Sequence, residues 1–393
     1  MLPLLPAIAI FQTVRNLYKS NLNEEELFIL ECFLLLMEKE GLVSSYNGRS
    51  FKNDIGRQIK NSSNPQLIEL FDDHIKSISE KSKKLFIDKL CSAVSSASQK
   101  LNEKEFLELF DSRLESYLGK SLSGDALQPK ELTQLLNSFL PKKENLSYYN
   151  PFGGLASLAL DLPGNIHYYG EELNKHIWLL AKMRMMAYDC PPHFQFENIN
   201  SIESWHHTET GLYDYISYNP PFNLKLHESF PHFLNEEQFG DHRNANSLIV
   251  SQTFKKLKEG GKMVLVMPNG FLTNSFTKDK ALRKYLVDNN YLKFVISLPA
   301  KTLRFTSIPF NVIVLSKSLS DDKIHFVDGS ELYSQDSGKL NRIDLQRLLT
   351  EINLEGDSEH AKFIKSEIVA ENDYNLSINR YVFEEPILAV SEE

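Results

Sequence analysis

The sequence predicts an α/β protein, a mostly parallel β-sheet with helices on both faces, preceded by an all-helical domain. Three observations carry this. Residues 1–120 repeat apolar side chains at helical spacing, with Gly and Pro scarce. From Gly124 onward, seven short apolar runs alternate with helical patterns, as strands joined by crossover helices do. Apolar residues are 42% and charged residues 24% of the 393, ordinary globular proportions that exclude disorder, collagen and coiled-coil arrays. The expected domains are 1–120, helical; 121–320, the α/β sheet; and 321–393, an extension of the second.

The apolar opening from Met1 to Phe11 lacks a positive leading region and a small-residue cleavage site, so it reads as a buried helix or strand rather than a secretory signal. Asn23-Glu24-Glu25-Glu26 caps the next helix. Its Leu27, Leu30, Leu34 and Met37 share one face and Phe28, Phe33 and Leu35 take others, so burial nearly all round is expected, with Gly41 as the stop. This run is interrupted by Glu31 and is far shorter than the ~20 residues of a membrane span. Further helices are expected over 64–78, 80–96 and 103–117. The seven strands are expected at 146–149, 166–169, 194–197, 213–217, 262–267, 294–298 and 311–315, with helices at 131–139, 172–187, 245–258 and 278–288. Gly260-Gly261 reads as a helix stop. Beyond 320 the chain turns polar, with a strand-like run at 323–327 and a helix at 342–352.

Charge and cysteine usage narrow the function classes. Lys plus Arg number 43 against 52 Asp plus Glu, a net charge of −9. A chain that grips nucleic acid alone is usually basic, so such a role requires a local basic groove or a basic partner. Cys32, Cys91 and Cys190 are far apart with no CxxC pair, which speaks against a disulfide framework and a structural zinc site and fits a reducing cytoplasm. His193 and His206-His207 lack the accompanying Cys or carboxylate spacing of a metal site and read as loop residues, so no metal is expected.

The informative stretch is Tyr213-Asp214-Tyr215-Ile216-Ser217-Tyr218-Asn219-Pro220-Pro221-Phe222. An apolar strand ends abruptly in Asn-Pro-Pro-Phe, at the strand end where open α/β sheets bind ligands. Two prolines remove two N–H donors, so the loop presents carbonyl acceptors. Asn219 adds a side-chain carbonyl and Phe222 a flat face. These parts fit a planar amino group. Hydrogen bonds from both amino hydrogens to fixed acceptors favour pyramidal nitrogen and return its delocalised lone pair, so that a methyl group held in line can be displaced directly. The same tetrapeptide also serves as a plain strand-ending turn.

Here the sequence resembles the amino-group methyltransferases that use S-adenosylmethionine, and more closely the modification subunit of type I restriction–modification systems, an N6-adenine DNA methyltransferase. The similarity runs from about Gly124 to Val382, with landmarks in the family's order. Gln128-Pro129 resembles the entry motif, with Gln where the family usually has Thr. Tyr149-Asn150-Pro151-Phe152-Gly153-Gly154-Leu155-Ala156-Ser157 resembles the cofactor loop, Gly170-Glu171-Glu172-Leu173-Asn174 the acidic end of the second strand, and Asn198-Ile199-Asn200-Ser201-Ile202 the family's Gly-Asp-Ser-Leu. The run from Gly260 to Gly270 matches the fifth strand and its loop, and the run from Asn372 to Tyr381 the closing segment. The resemblance implies a Rossmann-like, seven-stranded methyltransferase sheet. It implies catalytic roles for Asn219, Pro220, Pro221 and Phe222, and cofactor contacts from Gln128, Pro129, Asn150, Pro151, Phe152, Gly153, Gly154, Glu172 (to the ribose hydroxyls) and Asn200. Phe305 or Phe310 would pack on a flipped base. The implied partners are double-stranded DNA, a DNA-specificity subunit and a restriction subunit, with no membrane.

The departures weaken the expected cofactor affinity. Ala156 and Ser157 replace a glycine pair, and the amides Asn150 and Asn200 replace acids, so two charges that could face the cofactor's ammonium are gone. Two further readings stay open, an amino-methyltransferase acting on another planar amino group and a methyltransferase-fold scaffold without turnover. The basic run Lys278, Lys280, Arg283, Lys284, Lys293, Lys301 and Arg304 is either a local DNA contact or a solvated surface.

Overall fold

Capping chemistry starts the helices of the first compact unit. The computed structural model describes residues 4–17, 21–44, 51–62, 64–98, 101–119, 127–205, 210–222, 224–225, 245–303, 307–318, 322–335 and 340–383. The chain divides into two compact units, Met1–Leu127 with His176–Pro192, and Gln128–Lys175 with His193–Glu393. The opening segment of the first unit is a helix, Leu4–Leu17. Asn23 and Asn102 each complete a capping box: Asn23 Oδ1 accepts from Glu26 N–H at 2.8 Å while the Glu26 carboxylate accepts from Asn23 N–H at 3.2 Å, and Asn102 with Glu105 repeats it.

The helix Glu24–Lys39 is buried on every side from Leu27 to Met37. The Glu31 carboxylate within it is 1% exposed, a costly placement offset by charge-assisted hydrogen bonds from Arg15 (2.7 and 2.8 Å) and Arg113 (2.8 Å). The helices Phe51–Lys60, Pro65–Leu70, Lys76–Lys81, Lys84–Ser98 and Glu103–Leu118 follow, with a π-helical turn at Phe71–Ile75. From His176 on, the helix Lys175–Ala187 also belongs to this unit, where Arg184 forms a fork of two 2.8 Å hydrogen bonds on Asp111.

The second unit is built on a sheet of nine strands among the described residues. They are β1 (Ser147–Asn150), β2 (His167–Glu171), β3 (Gln195–Glu197), β4 (Tyr213–Tyr218), β5 (Leu257–Pro268), β6 (Leu292–Leu298), β7 (Phe310–Ser316), β8 (Lys323–Asp328) and, after the hairpin of β9 (Tyr333–Gln335) with β10 (Asn341–Ile343), β11 (Ala361–Lys365). The order is β3-β2-β1-β4-β5-β7-β6-β8-β11. Only β7 and β11 run against the rest. The seven expected strands are thus joined by β8, the strand-like run, and by β11, whose sequence Ala-Lys-Phe-Ile-Lys is too polar to read as a strand.

Side-chain alternation builds both faces. Tyr148 and Tyr215 turn toward the helix Lys130–Ser138, donating to Asn137 Oδ1 (3.0 Å) and to the Leu136 carbonyl. Their neighbours Tyr149, Ile216 and Tyr218 join the core packed with the helices Asn246–Lys255 and Thr277–Asp288. Because β1 lies between β2 and β4, the crossovers part there, and a crevice opens at the carboxyl ends of those strands.

Three boundaries correct the sequence reading. The expected helix 172–187 starts at Lys175, leaving Glu172 in the preceding turn. The helix 245–258 ends at Lys255, and Gly260-Gly261 stops no helix but lies inside β5. There Leu257 pairs with Tyr213 and Lys262 with Tyr215, so the intervening residues bulge out, with Gly260 at φ +75°. The expected helix at 342–352 begins at Leu345, since Asn341–Ile343 are strand β10.

Candidate active site

The crevice is assembled from three loops at the carboxyl ends of β1, β2 and β3. The turn after β1 is fixed from within: Asn150, 1% exposed, accepts from Phe152 N–H at 3.2 Å and donates to the Tyr168 hydroxyl at 3.2 Å. Gly153 N–H donates to the Glu171 carbonyl at 2.7 Å, and a Cβ at Gly153 would strike the Phe196 ring, so only glycine fits this approach. Gly154 N–H donates to Glu172 Oε2 at 2.9 Å, and Asn174 N–H to Glu172 Oε1 at 2.7 Å. Glu172 therefore stands half-buried between the first two loops, one oxygen turned to each.

The third loop closes the group. Asn198 Nδ2 donates to the carbonyls of Glu172 (2.8 Å) and Leu173 (3.0 Å), and Ser201 Oγ to the Pro151 carbonyl (2.5 Å). Asn200 caps the short helix Ser201–Ser204 through its backbone alone. Gln128 and Pro129 open the helix Lys130–Ser138, where Gln128 Nε2 donates to Thr133 Oγ1 at 3.0 Å; the same helix reaches the first loop through Asn137, which donates to the Leu158 carbonyl at 3.2 Å. The structure thus brings Asn150, Pro151, Gly153, Gly154 and Glu172 together.

Ala156 stands in the left-handed region at φ +56° and is fully buried. A Cβ there costs about 1 kcal/mol relative to glycine, so the loop keeps its conformation at the expense of some strain.

Strand β4 delivers the second half of the site. Asn219 is half-buried, Pro220 buried, Pro221 exposed and Phe222 half-buried. The Phe222 ring lies 6.4 Å from that of Phe310, which is buried at the start of β7. Phe305 lies outside the described residues, as do His206 and His207. The two halves meet through Phe152, whose ring is 5.6 Å from that of Tyr218, the residue before Asn219, and 6.1 Å, edge-on, from Trp205.

Beneath them lies a buried network that the sequence reading did not single out. Trp205 Nε1 donates to Tyr149 Oη (2.9 Å), which donates to Glu171 (2.7 Å), while Tyr149 stacks on Tyr169 and Tyr213. Burial, and then the nearby Glu171 carboxylate, push the Tyr149 and Tyr213 hydroxyls up, Tyr213 to about 12, so these phenols stay protonated donors. The signal was the recurrence of tyrosine pairs in two neighbouring strands, Tyr148-Tyr149 and Tyr168-Tyr169.

Within the basic run Arg283 is drawn into the core, while Lys284 and Lys301 stay exposed. Arg283 is 2% exposed, Lys280 pairs with Asp373 at 2.5 Å, and Lys284 with Asp288 at 2.6 Å. Arg304 lies outside the described residues.

Residues 107–389 match the N-6 DNA Methylase family, well over half of the chain. The chain belongs to the N-6 DNA methylase family. It is 25% identical over 294 residues to the type I restriction enzyme MpnII methylase subunit of Mycoplasma pneumoniae, a match covering 67% of this chain and 54% of that protein. It is 24% identical to the HindI methylase subunit of Haemophilus influenzae, covering 70% and 67%. The chain spans about half the length of several of these curated relatives. Among solved structures, the methyltransferase subunit of a type I restriction-modification system from Streptococcus thermophilus superposes with a TM-score of 0.69 at 24% identity, over 90% of this chain and 79% of that one. The methyltransferase sheet expected from the motifs is the fold this chain has.

Proposed function

We propose that this chain is the modification subunit of a type I restriction–modification system, transferring a methyl group from S-adenosylmethionine to the N6 nitrogen of a flipped adenine. The observation that carries this is the uncharged Asn219-Pro220-Pro221-Phe222 loop at the end of β4, joined through Phe152 to the loops gathered on Glu172. The residues present fit the cofactor: Glu172, held by the Gly154 and Asn174 N–H groups, supplies a carboxylate for the ribose hydroxyls. When bound, S-adenosylmethionine supplies an electrophilic methyl on a sulfonium.

The remaining chemistry belongs to the chain. Asn219 Oδ1 and a carbonyl of the proline pair accept the two amino hydrogens and hold the nitrogen pyramidal, so its lone pair is directed at the methyl. Phe222 supports the face of the extruded base, with Phe310 behind it. No side chain need form a covalent intermediate, because positioning lowers the barrier of a direct displacement.

The net charge of −9 and the neutralised lysines support a partner-dependent enzyme that meets double-stranded DNA through a specificity subunit and works beside a restriction subunit. The scaffold reading draws on the Asn150 amide, which is spent on the Phe152 N–H and the Tyr168 hydroxyl. Calorimetric titration of S-adenosylmethionine into the purified chain separates the two. Binding that weakens in Glu172→Gln supports the enzyme, whereas a folded protein that binds none of it contradicts the proposal.

A further inference from the structure

The helix Thr277–Asp288 carries two charged side chains one turn apart, Asp279 and Arg283, each 2% exposed. Their partners come from separate stretches of chain. Asp279 accepts from the Ser247 hydroxyl through one oxygen and from Asn274 Nδ2 at 2.5 Å through the other. Arg283 donates to three carbonyls, Phe271 at 2.8 Å, Asn274 at 2.7 Å and Tyr374 at 2.9 Å. Ser247 lies in the first turn of the helix that resumes after the Asn-Pro-Pro-Phe loop, two residues past Ala245, whose N–H donates to the Leu224 carbonyl at 3.0 Å. The chain that leaves Phe222 is therefore clasped two residues later to the residue that precedes Ser247's helix. Phe271 and Asn274 form the exit of β5, and Tyr374, at φ +57°, belongs to the segment tied back by Leu376 N–H to the Leu272 carbonyl at 3.0 Å.

We propose that Asp279 and Arg283 are positioning residues that lock the catalytic loop to the exit of β5, and that Ser247 is the link transmitting that lock to Asn219 and Phe222. The inference rests on the methyl-transfer reading of that loop. Burial makes the arrangement rigid. A desolvated carboxylate and guanidinium hold their partners in charge-assisted hydrogen bonds, and the planar Arg fork fixes three carbonyls at once. Their hydrogen bonds to Ser247, Phe271, Asn274 and Tyr374 place the lock on the acceptor side, so cofactor binding should be left alone.

The test compares two serines of one helix. Ser247 donates to Asp279, whereas Ser251, buried one turn later, donates to Leu248 of its own helix at 3.0 Å. Each is changed to Ala in the protein purified with the subunits that accompany it in its cell. The substrate is genomic DNA from a strain lacking this chain, which holds every unmodified target. Ser247→Ala should lower the maximal rate of labelled-methyl transfer about tenfold with calorimetric cofactor affinity unchanged, and Ser251→Ala should change neither. Arg283→Lys should lower the rate in the same way, keeping the charge but losing the fork. Equal rates for the two serine variants, or a parallel loss of cofactor affinity in Ser247→Ala, would overturn the lock. No transfer by the wild-type complex would instead overturn the methyl-transfer reading itself.

Discussion

The two ends of strand β4 are built to opposite rules. At its beginning Asp214, 7% exposed, is saturated: Lys143 at 2.5 Å, Lys258 at 2.9 Å, and Ser147 through both its backbone N–H (3.0 Å) and its hydroxyl (2.6 Å). Burial alone would raise the Asp214 carboxyl, but these four donors outweigh it and hold it far below the usual carboxylate range. At its end, five residues on, the loop Asn219-Pro220-Pro221-Phe222 carries no charged side chain. One end spends its polar groups on the fold. The other, on the function proposed above, offers neutral acceptors to a ligand, and a strand rigid at its base gives that loop a fixed platform.

The largest effect should come from the uncharged end. Asn219→Ala removes one of two acceptors from the target amino group, so the methyl-transfer rate should fall on the order of a hundredfold or more while thermal stability stays put. A rate near wild type in initial-velocity assays would break the comparison at its functional end.

Asp214→Ala should do the reverse, lowering unfolding free energy in urea by about 2–3 kcal/mol, with transfer per folded molecule unchanged. The sign with pH follows from the depressed carboxyl. Its contribution is full above about pH 4, where even the unfolded chain is ionised, and is lost as pH falls through the lower folded-state value. The variant should therefore show a flatter acid limb than wild type in denaturation followed by circular dichroism.

Glu172→Gln sharpens the comparison on the cofactor side. It keeps the shape of the side chain but removes a charged acceptor, so affinity for S-adenosylmethionine should drop roughly tenfold by calorimetry. Ala156→Gly should give the smallest change, a gain of about 1 kcal/mol in stability as the left-handed residue loses its Cβ.

Much of this was legible in the residues, for physical reasons. Asn23 with Glu26, and the strands around Tyr215 and Val264, announce themselves because capping and apolar periodicity act locally. The chemistry of Asn219-Pro220-Pro221-Phe222 is local too, since two prolines dictate what the loop can offer. What was hidden is long-range. Gly260-Gly261 looks like a helix stop until β4 shows that β5 begins before it and bulges. Lys280, Arg283 and Lys284 look like a basic surface until Asp373, Asp288 and three carbonyls claim them. Asn150 reads as a weakened cofactor ligand, and only the fold places the Tyr168 hydroxyl against it.

The most direct test of the central claim is long-read mapping of modified bases in genomic DNA from three isogenic strains, one with the wild-type chain, one with Asn219→Ala and one without the gene. Methylation at N6 of adenine, confined to a recurrent sequence in the wild-type strain and lost from both others, is the predicted result. Identical adenine methylation in all three strains would contradict it.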